Sequence, residues 1–234
     1  MSLSLYKIVA FSYLWLENVL LKFLKEQLEI NGSTAVDWAS FHREVVIFAI
    51  EEQEQLGGPG KFVEIDESKF GRRKHHRGHA VEGQWVFGGV ERDTNRCFLV
   101  PVESRSKEVL LSIIKKHIRP NTTIISNCWK SYDCLGDEGF IHLKVNHSLN
   151  FKDPETGAHT NSIEGLWQHV KASLPEYTRK KKFFHGYLAK FIFKRHCSSN
   201  KLDILSEFFT YAGRLYNPLV QNSVDSDTSD EDIL

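Results

Sequence analysis

The spacing of apolar residues along the chain changes from segment to segment, and each change marks a different kind of element. Over residues 5–30 and 34–56 apolar side chains recur at helical spacing. Asn31-Gly32-Ser33 breaks the run, with Ser33 placed to cap the second helix. In that second helix Trp38, Phe41, Val45, Phe48 and Ala49 follow the helical repeat. The pair reads as packing helices, with half of a helix-turn-helix as the alternative. Lys7, Glu17 and Lys22 interrupt the apolar stretch from Leu3 to Leu24, so it reads as an amphipathic core helix and not as a membrane span or signal peptide. Gly57-Gly58-Pro59-Gly60 then ends helical periodicity and is the expected domain boundary.

Beyond it the period shortens. Lys61–Ser68 alternates, and Gln84–Glu91 and Arg96–Val102 are two further strands joined through Asp93-Thr94-Asn95, which is hairpin-turn chemistry. A helix over Ser106–His117 precedes a fourth strand, Thr122–Ser126. A short helix over Trp129–Leu135 precedes a fifth strand, Phe140–Val145. A polar loop, Asn146–Thr160, leads to a helix from Ser162 to Leu174 that Pro175 closes, and helices follow over Phe183–His196 and Leu202–Leu215. The order β-β-β-α-β-α-β-α suggests an antiparallel three-strand ribbon with two parallel additions. The expected fold class is therefore α/β, a ribonuclease-H-like mixed sheet with an N-terminal helical segment and C-terminal helices. The expected parts are 1–60 (helical), 61–220 (the catalytic body) and 221–234, an acidic, low-complexity tail expected to be disordered.

Charge sharpens this division. Among 234 residues, 30 Lys+Arg balance 30 Asp+Glu, but unevenly: residues 1–60 carry net −4, residues 61–220 net +9 and residues 221–234 net −5. A basic body between acidic ends suggests a polyanionic partner, against the plainer reading of a solvated surface with a charged tail. The 41% hydrophobic content excludes a disordered or collagen-like chain. Cys97, Cys128, Cys134 and Cys197 have no C-x-x-C spacing, which argues against a structural zinc site.

Three segments carry the candidate chemistry. In Val63-Glu64-Ile65-Asp66-Glu67 the alternation sends Val63 and Ile65 to one face and Glu64 and Asp66 to the other. A carboxylate inside a β-rich run needs an ion partner or a metal unless the strand is a solvated edge. Asn127 stands at the end of the fourth strand, just after Ser126, and could line a strand-end site or cap the next helix. In the helix from Ser162, Ile163, Trp167, Val170 and Leu174 form the buried stripe. Glu164, Gln168 and Lys171 run alongside, with Glu164 in the first turn, where an acid suits the helix dipole. The functional alternative places Glu164 against the sheet, facing Asp66. Trp85, Trp129 and Trp167 read as core residues.

V-E-I-D-E-S-K-F-G, I-I-S-N-C-W-K-S-Y and H-T-N-S-I-E-G-L-W-Q-H-V-K, in that order, resemble the catalytic core of Merlin-type DDE transposases and related bacterial insertion-sequence transposases of the ISXO-like group. The resemblance runs from about Trp38 to about Tyr216. Thirty-six residues separate positions 127 and 164, as between the second and third acids of that family. The resemblance maps the acidic triad, catalytic and metal-holding, to Asp66, Asn127 and Glu164. It implies two Mg²⁺ or Mn²⁺ ions per site, roughly 3.5–4 Å apart, nicking of transposon ends and joining of 3′-hydroxyls to target DNA. Two departures stand out. The family has Asp where this chain has Asn127, and no cysteine precedes Cys97 to build the zinc ribbon that bacterial relatives tend to carry. An amide keeps one carbonyl oxygen but loses the charge, so weak metal occupancy and little catalysis are expected. Asn127 is either an introduced inactivating change or natural in a decayed copy.

The expected DNA contacts are the basic run Arg72, Arg73, Lys74, His75, His76 and Arg77, then Lys130, His159, Asn161 and Lys171, and the second run Arg179, Lys180, Lys181 and Lys182. The implied partners are terminal inverted repeats and target DNA, with a homodimer or larger assembly to join two DNA ends, and no membrane. The implied location is the nucleus in a eukaryote and the cytoplasm otherwise. The alternatives are a domesticated, non-catalytic DNA-binding protein and another ribonuclease-H-like nuclease.

Overall fold

The computed structural model describes residues 3–71, 83–145, 157–174 and 183–217. They divide into two compact units. One comprises the chain up to Glu52 together with the chain from Phe193 onward; the other is Gln53–Ile192.

The first unit is helical. Helix α1 (Leu5–Leu16) starts at Ser4, whose side chain accepts from the Lys7 N–H. It does not continue to residue 30 as periodicity predicts. Asn18 takes φ 64, a left-handed conformation that asparagine tolerates better than most residues, and the chain restarts as α2 (Leu21–Gln27). Helix α3 (Gly32–Glu51) is capped by Asn31, not by Ser33: the Asn31 Oδ1 accepts from the Ser33 N–H at 3.2 Å. Its buried face is Ala35, Ala39, His42, Val45, Val46 and Ala49, while Phe41 is exposed. The face is thus rotated from the expected one, with Val45 and Ala49 common to both. Helix α7 (Ile204–Leu215) belongs here. Asp203 caps it, its Oδ1 accepting from the Ser206 N–H at 2.8 Å, and Phe208 stacks on His42.

The second unit holds a five-stranded sheet of β1 (Phe62–Phe70), β2 (Gln84–Glu91), β3 (Cys97–Val102), β4 (Thr123–Asn127) and β5 (Ile141–Val145), in the order β3-β2-β1-β4-β5. β1 pairs antiparallel with β2 from Val63↔Glu91 to Phe70↔Gln84, and β2 pairs antiparallel with β3. β4 lies parallel to both β1 and β5. This is the expected mixed sheet of the ribonuclease-H-like fold. Helix α4 (Lys107–His117), capped by Ser106, lays Leu110 and Ile114 against Val63, Ile65, Phe87 and Ile124 to form the main core. In place of the expected helix over Trp129–Leu135 there are two short 3₁₀ turns, Lys130–Tyr132 and Leu135–Glu138. Helix α5 (Asn161–Ser173) buries Ile163, Leu166, Trp167 and Val170, and Leu174 just beyond it is also buried. Helix α6 (Phe184–Ser199) comes next.

Gly57 shows why the segment ahead of β1 is glycine-rich. It takes φ +79, and a Cβ there would collide with the Thr122 hydroxyl, which accepts from the Gly58 N–H at 2.8 Å. The described residues contain no helix long and apolar enough to cross a membrane.

Candidate active site

The central strand β1 presents Glu64 and Asp66 as the alternation requires. Val63 and Ile65 enter the α4 side of the sheet, and Glu64 and Asp66 enter the α5 side. Asp66 Oδ2 accepts from the indole Nε1 of Trp167 at 3.0 Å. Trp167 can lie so close because Gly88 is Asp66's cross-strand partner. A Cβ at Gly88 would sit 2.8 Å from the far edge of the indole.

Asn127 ends β4 on the same face. The parallel register pairs Glu64 with Ile125 and ends there; alternation puts Asp66 and Asn127, two residues further along each strand, on that same face. Ile125, on that face, packs with Val145 and with Ala158 on the approach to α5. The Asn127 Oδ1 accepts from the Trp129 N–H at 3.1 Å, so the amide holds a local turn and does not cap the 3₁₀ turn that follows, whose cap position is Trp129 and has no side-chain cap bond.

Glu164 lies in the first turn of α5, exposed, and its Oε1 accepts from the hydroxyl of Thr160 at 3.0 Å. Thr160 precedes the helix but does not cap it with its side chain. The orphan N–H groups go elsewhere: Glu64, fully buried, accepts from the N–H of Ser162 at 2.8 Å and of Ile163 at 3.0 Å, and from the Ser162 hydroxyl at 3.0 Å. Its other partner is Arg92, whose Nε donates at 2.7 Å while its Nη2 donates to the His159 carbonyl at 2.6 Å. A strand carboxylate thus caps a helix 98 residues downstream. In the sequence Glu64 stands out as an acid in need of a partner, but no local pattern links it to Arg92 or to the α5 N-terminus.

Of the expected DNA contacts, Lys130 is exposed in a 3₁₀ turn and Asn161 is exposed at the start of α5. His159 turns Nδ1 inward, buried without a hydrogen bond and 3.4 Å from Glu64 Oε1. Lys171, also exposed, holds its ammonium 5.5 Å from the centre of the Phe70 ring. Arg72, Arg73, Lys74, His75, His76, Arg77, Arg179, Lys180, Lys181 and Lys182 lie outside the described residues, as does the acidic tail.

Trp167 is core, as expected, whereas Trp85 and Trp129 are half-buried. The Arg105 guanidinium lies between them, 3.7 and 4.7 Å from the ring centres. Next to Asp66 but on the α4 side of the sheet, Glu67 is pushed up to about 7 by burial, with the Asp66 charge adding to the effect and Tyr132 and Arg105 opposing it. Burial also raises the Tyr132 phenol, and neither Glu67 Oε1 nor Tyr132 Oη makes a hydrogen bond of normal geometry.

The donors at positions 66, 127 and 164 are two carboxylates and an amide carbonyl. They are hard oxygen ligands of the kind Mg²⁺ and Mn²⁺ take, with one charge fewer than three acids would supply. Among the described residues no group of three or more His, Cys, Asp or Glu side chains is disposed to hold a cation.

Residues 53–196 match the family described as ISXO2-like transposase domain, and the chain belongs to that family. A Haemophilus influenzae protein described as an uncharacterized transposase-like protein is 30% identical over 94 residues, covering 40% of this chain and 75% of its own. Among solved structures, a chain of the simian T-cell lymphotropic virus intasome, bound to the PP2A regulatory subunit B56 gamma, is 12% identical with a TM-score of 0.34. It covers 69% of this chain, which spans about half (52%) of it. The HTLV-2 integrase catalytic core, solved with magnesium in a dimeric form, is 8% identical over 66% of this chain and 85% of its own, with a TM-score of 0.33. The BIV integrase catalytic core is 9% identical over 67% of this chain and 84% of its own, with a TM-score of 0.34. At such similarity it is the strand order, not the superposition, that assigns the fold.

Proposed function

We propose that this protein is a cut-and-paste DNA transposase of the Merlin type whose active site is Asp66, position 127 and Glu164, and that Asn127 leaves that site impaired. The observation that carries the reading is the shared face. Asp66 on β1 and Asn127 on β4 point to the side of the sheet that α5 covers, and α5 is tied to the two acids of β1 on that side, at Glu64 by its first turn and at Asp66 by Trp167. Family membership over residues 53–196, which include all three positions, supports the same assignment.

Asp66 is central in this site, and position 127 and Glu164 each complete one side of it. Asp66, position 127 and Glu164 would hold two divalent cations, which would serve to activate the attacking oxygen and stabilise the leaving 3′-oxygen. The chain's own residues hold the DNA backbone with Lys130, Asn161, Lys171 and the basic runs 72–77 and 179–182, and orient the scissile phosphate toward Asp66. The DNA partners are terminal inverted repeats and target DNA, handled by a dimer or larger assembly. The protein acts in the nucleus of a eukaryotic host or the cytoplasm of a bacterial one.

Asn127 also supports a second reading, a DNA-binding protein that no longer cuts. Its amide oxygen already serves the Trp129 N–H, and an amide cannot offer a cation the charge of a carboxylate. An assay separates the two. Nicking of a terminal-repeat oligonucleotide in Mn²⁺ is expected to be weak or absent with Asn127 and to appear with Asn127→Asp. Salt-sensitive binding of that oligonucleotide with no nicking by Asn127→Asp would favour the second reading.

A further inference from the structure

We propose that Glu64 is a positioning residue for the cation site, setting Glu164 on α5 relative to Asp66 on β1. This rests on the function proposed above. Glu64 and Asp66 are two residues apart on one face of β1, and Glu64 is fully occupied by other partners: two α5 amides, the Ser162 hydroxyl and Arg92. It therefore has no role as a cation ligand. It pins the first turn of α5, and Glu164 is the next residue after the pinned Ile163 amide. Thr160, which would ordinarily cap such a helix, spends its hydroxyl on Glu164 instead. Arg92 extends the clamp to the His159 carbonyl, fixing the segment that leads into the helix. One turn on, Trp167 meets Asp66. The helix is thus held at two points of β1, and Glu164 lies between them. Charge-assisted bonds to a buried carboxylate are short and directional, so they set the helix's position along the strand and not merely its attachment.

The test measures Mn²⁺ affinity by electron paramagnetic resonance on the full chain carrying Asn127→Asp. Adding Glu64→Gln keeps the side-chain shape but puts an NH₂ against helix N–H donors, and it is expected to weaken Mn²⁺ binding at least tenfold. Ser162→Ala, which removes one donor and is mild enough to fold, is expected to weaken it about threefold. Val170→Ala removes buried volume from the same helix away from the clamp. It lowers the melting temperature but is expected to leave Mn²⁺ affinity unchanged, so it separates position from stability. The proposal is overturned if Glu64→Gln and Ser162→Ala both keep the parent affinity, or if Val170→Ala weakens binding as much as they do. A parent that does not bind Mn²⁺, or whose binding survives Asp66→Asn, instead overturns the proposed function and the positioning role with it.

Discussion

Gly88→Ala is a one-methyl perturbation aimed at the contact between β2 and α5. The added Cβ would sit 2.8 Å from Trp167 Cη2, 2.9 Å from Leu99 Cδ2 and 3.2 Å from the Phe98 carbonyl oxygen. The carbonyl is backbone and cannot give way. The Leu99 methyl can rotate at small cost. Trp167 cannot swing out, because it is 5% exposed and its Nε1 is bonded to Asp66. Overpacking of this kind costs about 1–3 kcal/mol. With melting points moving by roughly 2–4 °C per kcal/mol in a domain of this size, a drop of about 2–12 °C is expected. Urea unfolding followed by tryptophan fluorescence reads the same change as a lower midpoint. The cause can be isolated in a double-mutant cycle. Trp167→Phe removes the offending ring atom, so Gly88→Ala should cost less in that background, by about 0.5–3 kcal/mol of coupling. If Gly88→Ala leaves the midpoint within about 0.5 kcal/mol of the parent, or costs the same with Phe at position 167, the proposed packing of Trp167 over Asp66 is wrong.

Single contacts set the other expected outcomes. Trp167→Phe alone removes the donor to Asp66 and should cost about 1.5–3 kcal/mol for the charged hydrogen bond, read by thermal melting. His117, stacked 4.7 Å from the Phe98 ring, is lowered to about 4 by burial, with the Lys116 charge adding to it. The unfolded chain therefore takes up this proton before the fold does, and stability should fall as pH drops from about 6.5 toward about 4, by roughly 1–2 kcal/mol after allowing for solvent screening. His117→Gln should flatten that window, and an unchanged pH profile would exclude His117 as its source. Replacing Arg179, Lys180, Lys181 and Lys182 with alanine should weaken DNA binding across all sequences and reduce the salt slope by roughly one for each phosphate that is no longer neutralised.

What could be read along the chain tracked the range of the forces involved. β2 falls on Gln84–Glu91 as expected, and β1, β3, β4 and β5 fall within a few residues, because a period-2 pattern and turn residues are local signals. The buried stripe of α5 was legible for the same reason. Asn18 was not. Its left-handed turn splits an apolar stretch whose helical period continues across it. Ser33 lost the cap to Asn31 by a shift of two residues, well within the blur of any capping motif. The candidate site divides in the same way. Asp66, Asn127 and Glu164 are visible as motifs, whereas the contacts that tie α5 to β1 are not. Glu64 meets Ser162 from 98 residues away along the chain, and Trp167 reaches Asp66 only because Gly88, on a third element, leaves room.

The central claim is that side chains 66, 127 and 164 meet at one cation pocket, and a crystal of the Asn127→Asp protein soaked in Mn²⁺ tests it most directly. Two anomalous peaks roughly 3.5–4 Å apart, bounded by the carboxylates of residues 66, 127 and 164, are expected. Peaks bound elsewhere, or a Glu164 carboxylate that stays on the Thr160 hydroxyl while Mn²⁺ occupies Asp66 alone, would contradict it.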